Sequence, residues 1–585
     1  MMALVFHENA AFRIARWAAL VSLFAILPCS ARSQDSGAQT SSDSNTEAPT
    51  TIFRDSDTSR WWVSGQGNLV FQWHPLFLAK YSEQNSRTLL VQTATTHIHT
   101  PCGGFDLFCS PGIGNYVASP NQTENLSERV LITIAQGEIP FALPRGSSVR
   151  ASIDDEDKNS NAQKWNIHAQ ITEIVQGDPS FYAKYSGPNS LKNTGEIQET
   201  FTTDLFFGAR LWHGSEIHVD ALMWQGFGLS HTEGIEDFPN GDAFKLGTKI
   251  PHFMFAHLFI RETIGLGGQR ESVSDGPLSL ASKQDISRLT FTLGRFTPTD
   301  LFDHNLYAQD PHVQFMNWAM NTNLSWDFPS DSVGYTTGLA VELNQPKWTL
   351  RSGFFQVPFT KNGFTADDQV LTWPHEGSNG PFLRSWGAVV EFERRYDAGV
   401  HPGAIRFLGW LDKAHMINYR EATLLLEANG PGADLSAARA FRHKFGFGLN
   451  WEQEITKNVG VFSRLGWNNG QTEGWMYTDA NWTASLGTSV SGAAWRRSND
   501  GIGIAFVTSG ASSNAQKYLE AGGLDIVDGD GKLTYGSEKV VEAYYNFLIW
   551  KTVHVTIDYE FAANPAFNRD RGPVSVIGLR FHWQF

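Results

Sequence analysis

Apolar and polar residues alternate in short runs along most of this chain, and the final run shows the pattern at its clearest. Ile577, Leu579, Phe581, Trp583 and Phe585 fall on one face of an extended segment, while Gly578, Arg580, His582 and Gln584 fall on the other. A period of two is the period of a β-strand. Aromatics on one side and polar groups on the other suit a strand with lipid outside and water inside. A half-buried strand of a soluble sandwich alternates in the same way. Comparable runs recur from Trp165 onward, separated by polar, Gly-rich or Pro-rich segments. They predict strands over 165–176, 201–212, 216–226, 252–264, 287–297, 332–343, 347–358, 384–397, 402–415, 441–454, 459–468, 476–490, 502–509, 538–550, 552–561 and 574–585. The chain is therefore all-β, with about 16 strands, an even number of the size at which a transmembrane antiparallel β-barrel encloses an aqueous channel.

Connection lengths test this independently, because outer-membrane barrels alternate short turns at one end with long loops at the other. His213-Gly214-Ser215, Gln345-Pro346, the 397–402 turn, Lys457-Asn458 and the junction at Lys551 are short and fall where turns belong. Segments 227–251, 298–331, 359–383, 416–440 and 510–537 are long and fall at the other end. Two connections disobey: 265–286 is long and 491–501 intermediate where turns are expected.

Ahead of the alternating region, residues 1–33 read as a secretory signal, with Arg13 and Arg16, an apolar core over 17–27, and Ala31-Arg32-Ser33 as a cleavage site. Pro28 before Cys29 disfavours a lipoprotein signal. Residues 34–60 read as a flexible polar linker. Residues 61–164 form an extra segment containing one partial repeat: Trp61, Gln66, Gln72, Pro75, Phe77 and Ala79-Lys80-Tyr81-Ser82 match Trp165, Gln170, Gln176, Pro179, Phe181 and Ala183-Lys184-Tyr185-Ser186 without a gap. The first copy is either an additional strand and loop or a separately folded insert. Cys102 and Cys109 are either one local disulfide, in keeping with export, or two free thiols. Residues 165–585 are the barrel.

Composition fits this picture. Mean hydropathy is -0.27, and no stretch after residue 33 approaches the roughly 20 consecutive apolar residues of a membrane helix. Aromatics reach 13%, with 20 Trp and 41 Phe, which the girdles at two membrane interfaces would use. A net charge of -15 argues against a nucleic-acid partner. Catalytic motifs, a zinc motif and a phosphate loop are absent, so neither a catalytic residue nor a metal or cofactor is expected. Asp528-Gly529-Asp530-Gly531 has the look of a calcium loop, but Gly531 and Lys532 break the ligand spacing, and a tight turn is the simpler reading.

Strand parity assigns side chains to two solvents. Leu205, Phe207, Ala209 and Leu211 face lipid, and Asp204 and Arg210 the lumen. Val541, Ala543, Tyr545, Phe547 and Ile549 face out, with Glu542, Tyr544 and Asn546 inside. The same rule places Glu391, Glu393, Arg442, Lys444, His554, Asp558, Glu560 and Arg580 in the lumen. The long segment 298–331 holds Asp300, Asp303, Asn305, Gln314, Asn317 and Trp318, a mixture of carboxylate, amide and aromatic groups that matches the hydroxyls and C–H faces of sugars. It either folds inward and narrows the channel or caps the barrel outside.

Ordered motifs add a family. Phe181 to Ser190, Gly208-Ala209-Arg210-Leu211-Trp212, Phe238-Pro239-Asn240-Gly241, Gly294-Arg295-Phe296 with Asp300, Phe302-Asp303 and Asn305, and Gln314-Phe315-Met316-Asn317 are followed by Glu542-Ala543-Tyr544-Tyr545, Asp558-Tyr559, Arg569-Asp570-Arg571-Gly572-Pro573 and Arg580-Phe581-His582. In this order the chain resembles the OprB-type carbohydrate-selective porins of the bacterial outer membrane. That resemblance implies passive diffusion of small carbohydrates through a water-filled barrel. It departs from the family pattern in the extra 61–164 segment and in Glu560, where Gln is expected. The residues expected to contact sugar are Arg210, Arg295, Asp300, Asp303, Asn305, Gln314, Asn317, Glu542, Tyr544 and Arg580. Phe585 looks like the terminal signal read by the outer-membrane assembly machinery, which joins lipid and sugars as the expected partners. Rival readings are an energy-coupled receptor with an N-terminal plug, a barrel-scaffold enzyme, and an anchor with a filled lumen. The sequence leaves the oligomeric state open.

Overall fold

A computed structural model describes residues 67–74, 92–99, 162–245, 247–363 and 384–585. The signal segment, the 34–60 linker, Cys102 and Cys109 lie outside the described residues. Within 61–164, β1 (Gly67–His74) and β2 (Gln92–His99) form a two-stranded antiparallel sheet of their own. The first repeat copy thus contributes β1, and the barrel sheet does not include it.

The barrel begins with β3 (Trp165–Asp178), β4 (Glu196–Trp212), β5 (Ser215–Gly226) and β6 (Thr248–Gly265). After β7 (Arg270–Val273) and β8 (Ser282–Asp285) it resumes with β9 (Arg288–Phe296), β10 (Thr336–Gln345), β11 (Trp348–Gln356), β12 (Trp386–Ala398), β13 (His401–Ile417) and β14 (Arg439–Thr456). It ends with β15 (Val459–Asn468), β16 (Trp482–Ser491), β17 (Gly501–Gly510), β18 (Glu538–Trp550), β19 (Val553–Ala563) and β20 (Val574–Gln584). Leaving out β7 and β8, sixteen of these form one closed antiparallel sheet in which β20 pairs with β3. Each predicted run coincides with one barrel strand, and closure leaves no edge with unpaired backbone.

Lipid-facing and lumen-facing positions separate as the parity rule requires. Leu205, Phe207, Val541, Ile549, Ile577, Leu579 and Phe581 are exposed, while Asp204, Glu542, Tyr544, Asn546, Arg580 and His582 are buried. Arg442 lies on the inner face but at the loop end, where it donates to Glu421 and Ala438 O. A continuous outward band of large apolar side chains is what a lipid-facing barrel wall carries. Leu486, at 59% exposure in the middle of β16, tests this: Leu486→Arg is expected to cost about 2–4 kcal/mol of refolding stability in lipid vesicles, and an unchanged urea midpoint would contradict the lipid-facing assignment.

The two irregular connections also resolve. Residues 266–287 carry the β7–β8 hairpin, whose strands pair only with each other. It is tied back to the barrel by Asn166 Nδ2, which donates to Asp275 Oδ1 at 2.7 Å and Gly276 O at 2.9 Å. Residues 492–500 make a short 3-10 turn whose Asp500 accepts from Leu548 N at 3.1 Å. The other turns at that end are tight. Gly214, at φ 85°, sits in the left-handed region that the two-residue β4–β5 connection needs.

Candidate functional site

Segment 297–335 leaves β9 and returns to β10 by way of the barrel interior. It is held there because inward positions of the wall carry groups that satisfy its backbone. Asp303 is the main anchor. Its Oδ2 accepts from Arg464 Nε at 3.0 Å and from Asn323 N at 2.8 Å, and its Oδ1 accepts from Asn450 Nδ2 at 2.8 Å. Arg464 also donates to Met320 O at 2.7 Å and Ala308 O at 2.7 Å. Glu391 accepts from Asp303 N and Glu452 from Leu306 N. On the opposite wall Glu542 accepts from Met316 N and Asn317 N, and Arg580 donates to Pro311 O at 2.6 Å and Gln314 O at 2.9 Å. Close approach needs bare wall. A Cβ on Gly448 or Gly466 would lie 2.3 Å from Asn323 Nδ2 and 2.0 Å from Asn323 Oδ1 respectively, and these two glycines face each other across β14 and β15.

Once anchored, the segment presents aromatic surface. Asn317 caps the short helix Trp318–Asn321 by accepting from Ala319 N at 3.0 Å, and its Nδ2 donates to Glu560 at 2.6 Å. Trp318 therefore has a fixed place. Its indole stacks on Phe238 (centroids 5.2 Å, 14°) and on Tyr477 (5.4 Å, 30°), and Tyr477 stacks in turn on Phe328 at 5.1 Å. Tyr477 belongs to loop 469–481, which Asp327 orders by accepting from the backbone N of Trp475, Met476 and Tyr477. Phe238 and Phe328 are buried, whereas Trp318 and Tyr477 are half-buried and keep accessible surface. Trp318 Nε1 has no partner.

Polar pairs border this surface. Arg295 donates to Asp331 at 2.6 Å and lies 5.7 Å from the ring of half-buried Tyr335. His257 bridges Asp220 (2.9 Å) and Asp300 (3.0 Å) and meets Tyr335 edge-on at 5.1 Å. Farther along the segment His312 lies between Asp310 (2.7 Å) and Asp242 (3.3 Å), beside the His582 ring at 5.7 Å. Aromatic faces beside alternating donors and acceptors suit a neutral polyhydroxylated solute. Its C–H faces pack on the rings and its hydroxyls exchange water for fixed groups.

The ten residues expected from sequence divide into three sets. Arg295 and Asp300 border the aromatic surface. Asp303, Asn305, Asn317, Glu542 and Arg580 join loop to wall, Gln314 bonds within the loop to Leu306 O and Gln309 N, and Tyr544 packs on Phe315 at 4.9 Å. Arg210 is not brought to the loop. It pairs with Glu216 at 3.1 Å and Gln163 O at 3.0 Å near the β4–β5 turn. Sequence reasoning missed His257, Asp331, Tyr335 and Tyr477. His257 follows a bulge in β6, where Asp220 opposes His257 but Ala221 opposes Phe255. The extra residue breaks the parity that would have placed His257 inside.

Comparison with family models matches residues 188–585 to the carbohydrate-selective porin family OprB. Among solved structures, the high-pH structure of Pseudomonas putida OprB is 15% identical with a TM-score of 0.55, covering 72% of this chain and 94% of that one, a likeness of fold. The outer-membrane channel DcaP of Acinetobacter baumannii is 9% identical with a TM-score of 0.39, covering 72% of this chain and 97% of that one. No curated protein matches the chain.

Proposed function

With the chain belonging to the OprB family of carbohydrate-selective porins, we propose that small sugars cross it along the surface formed by Trp318, Tyr477 and Tyr335. It is a channel of the bacterial outer membrane through which carbohydrates diffuse passively. Family and barrel imply a channel rather than an enzyme, and the closed sheet has fewer strands than an energy-coupled receptor requires. One observation carries the proposed path: two half-buried aromatic rings are stacked at 5.4 Å beside charged groups already paired with one another. Arg295 is matched by Asp331, while two aspartates outnumber His257, so the path offers hydrogen bonds with no more than a mild bias toward cations.

The remaining partners follow from the outer face and the closing strand. The exposed apolar residues of the wall contact lipid. Phe585 stacks on Trp583 at 5.3 Å and pairs with Ala169 through its backbone, so it presents the assembly machinery with an aromatic last strand. Single-channel recording tests the sugar path. Glucose added to one side of a planar bilayer is expected to reduce the current reversibly and saturably, while an equal-sized polyol chain without a ring face blocks less. A current indifferent to glucose at every concentration would overturn the reading.

A further inference from the structure

Apart from the sugar path, three loops meet at a nest of carboxylates. Glu236 comes from 227–247, Asp479 from 469–481 and Asp528 from 511–537, and each offers an oxygen within 4.8 Å of the other two. Backbone groups fix the arrangement. Glu236 Oε1 accepts from Asp479 N at 3.0 Å and Ala480 N at 2.8 Å, and Asp479 Oδ2 accepts from Val527 N at 2.8 Å. The other oxygens, Glu236 Oε2 and Asp479 Oδ1, have no partner, and Asp528, fully buried at 0% exposure, has neither of its oxygens partnered. All three residues are more than nine-tenths buried.

No described cation forms an ion pair with any of the three carboxylates. The two lysines whose fields reach Asp479 are engaged elsewhere: Lys361 with Asp525 at 2.6 Å and Glu473 at 3.2 Å, and Lys245 with Glu233 at 3.6 Å and Ile526 O. Burial, with the Asp525 charge behind it, pushes the Asp479 carboxyl up to about 8, and burial with Asp479 drives Asp528 well above the usual carboxylate range. Buried unpaired carboxylates are stable when they coordinate a cation. The Asp528-Gly529-Asp530-Gly531 stretch does turn tightly, with Gly529 at φ 110° and Gly531 at φ 91°. It does not close a ligand loop of its own; instead Asp528 points across to the other two segments.

We infer that one calcium ion binds between Glu236, Asp479 and Asp528 and staples the three loops together at the loop end of the barrel. Calcium accepts carboxylate oxygens at about 2.3–2.6 Å in adaptable geometry, so ligands on opposite sides stand about 5 Å apart. The separations here fit that span. Magnesium demands a tighter octahedron and keeps its water, which three buried carboxylates do not accommodate as well. The other acidic trio, Glu542, Asp558 and Glu560, is different: Glu542 is spent on the backbone of Met316 and Asn317, and Arg580 lies close by. The inference rests on loop geometry and is independent of which solute the channel passes.

The test uses the full porin refolded into lipopolysaccharide-free detergent micelles, treated with EGTA and titrated calorimetrically with CaCl2. The expected result is one calcium per chain, with affinity lowered at least about tenfold in Glu236→Gln, Asp479→Asn and Asp528→Asn. A second readout needs only the wild-type protein. Calcium should slow tryptic cleavage at Lys517 and Lys532, the exposed lysines of loop 511–537. If the EGTA-treated wild type takes up no calcium, or if all three variants bind it as the wild type does, the site is refuted. Stabilisation of calcium-free protein by mild acid without any calcium response would likewise overturn it, since the nest would then be holding protons.

Discussion

Replacing Arg464 with methionine is expected to enlarge the channel. Arg464 is almost fully buried, and its guanidinium joins Asp303 of the inward segment at 3.0 Å while also closing off Met320 O and Ala308 O. Removing it leaves the Asp303 carboxylate with neutral donors only and takes a donor from two carbonyls in a site closed to water. Breaking one partner out of a buried pair costs about 3–5 kcal/mol. The barrel ladder runs regularly through β14, β15 and β16 around Arg464, its one register shift lying at Glu454/Thr456, so the cost falls on segment 297–335, whose attachment to that wall is weakened. Single-channel conductance should rise at least about twofold, and sugars excluded by the wild type should pass. Arg464→Met combined with Asp303→Asn should recover part of the wild-type conductance, because the uncompensated charge is gone. Wild-type conductance in Arg464→Met would show that the segment is held in place by other contacts.

Trp318→Ala should act in the opposite register, on sugar affinity rather than on pore size. The indole is fixed between Phe238 and Tyr477 and keeps its outer surface accessible. Truncation removes a rigid apolar platform and leaves Tyr477 stacked on Phe328 alone. An aromatic contact of this kind is worth about 1 kcal/mol, and more where the ring surface is desolvated by the ligand. The glucose concentration for half-maximal current block is expected to rise about tenfold, equivalent to about 1.4 kcal/mol, with open-channel conductance rising modestly. Trp318→Phe, which keeps a ring, should recover most of the block. Equal block in wild type and Trp318→Ala would remove the ring from the sugar path. Asp303→Ala, by contrast, is expected to resemble Arg464→Met, since that carboxylate is committed to the wall.

These two residues also mark the limit of what was legible in the sequence. The wall was legible because its strands stand between two different solvents. Lipid demands apolar side chains at every other position, and that demand is visible locally in Leu205 and Phe207, Val541 and Ile549, or Ile577 and Leu579. Connection lengths were legible as well, since a tight turn such as Gly214 has its own chemistry. The destination of segment 297–335 was not. Asp303, Asn305 and Asn317 look the same in a solvated cap as in a buried anchor, because their partners Arg464, Asn450 and Glu560 lie far away in sequence. Residue types there suggested sugar-binding chemistry, but could not distinguish groups spent on holding the loop from groups left facing the path. Arg210 illustrates the same gap, since inward parity said nothing of its height along the barrel axis. His257 was hidden for a different reason, the one-residue bulge that shifts the alternation within β6. The carboxylate nest at Glu236, Asp479 and Asp528 assembles three loops, so no local pattern announces it.

The most direct test of the account is liposome swelling with purified porin and no energy source. Graded solutes should enter in an order set by ring and hydroxyl chemistry as well as size, with glucose entering faster than neutral zwitterions of equal radius and larger oligosaccharides progressively slower. Exclusion of glucose, or entry rates that follow solute radius alone, would contradict a passive, carbohydrate-selective channel.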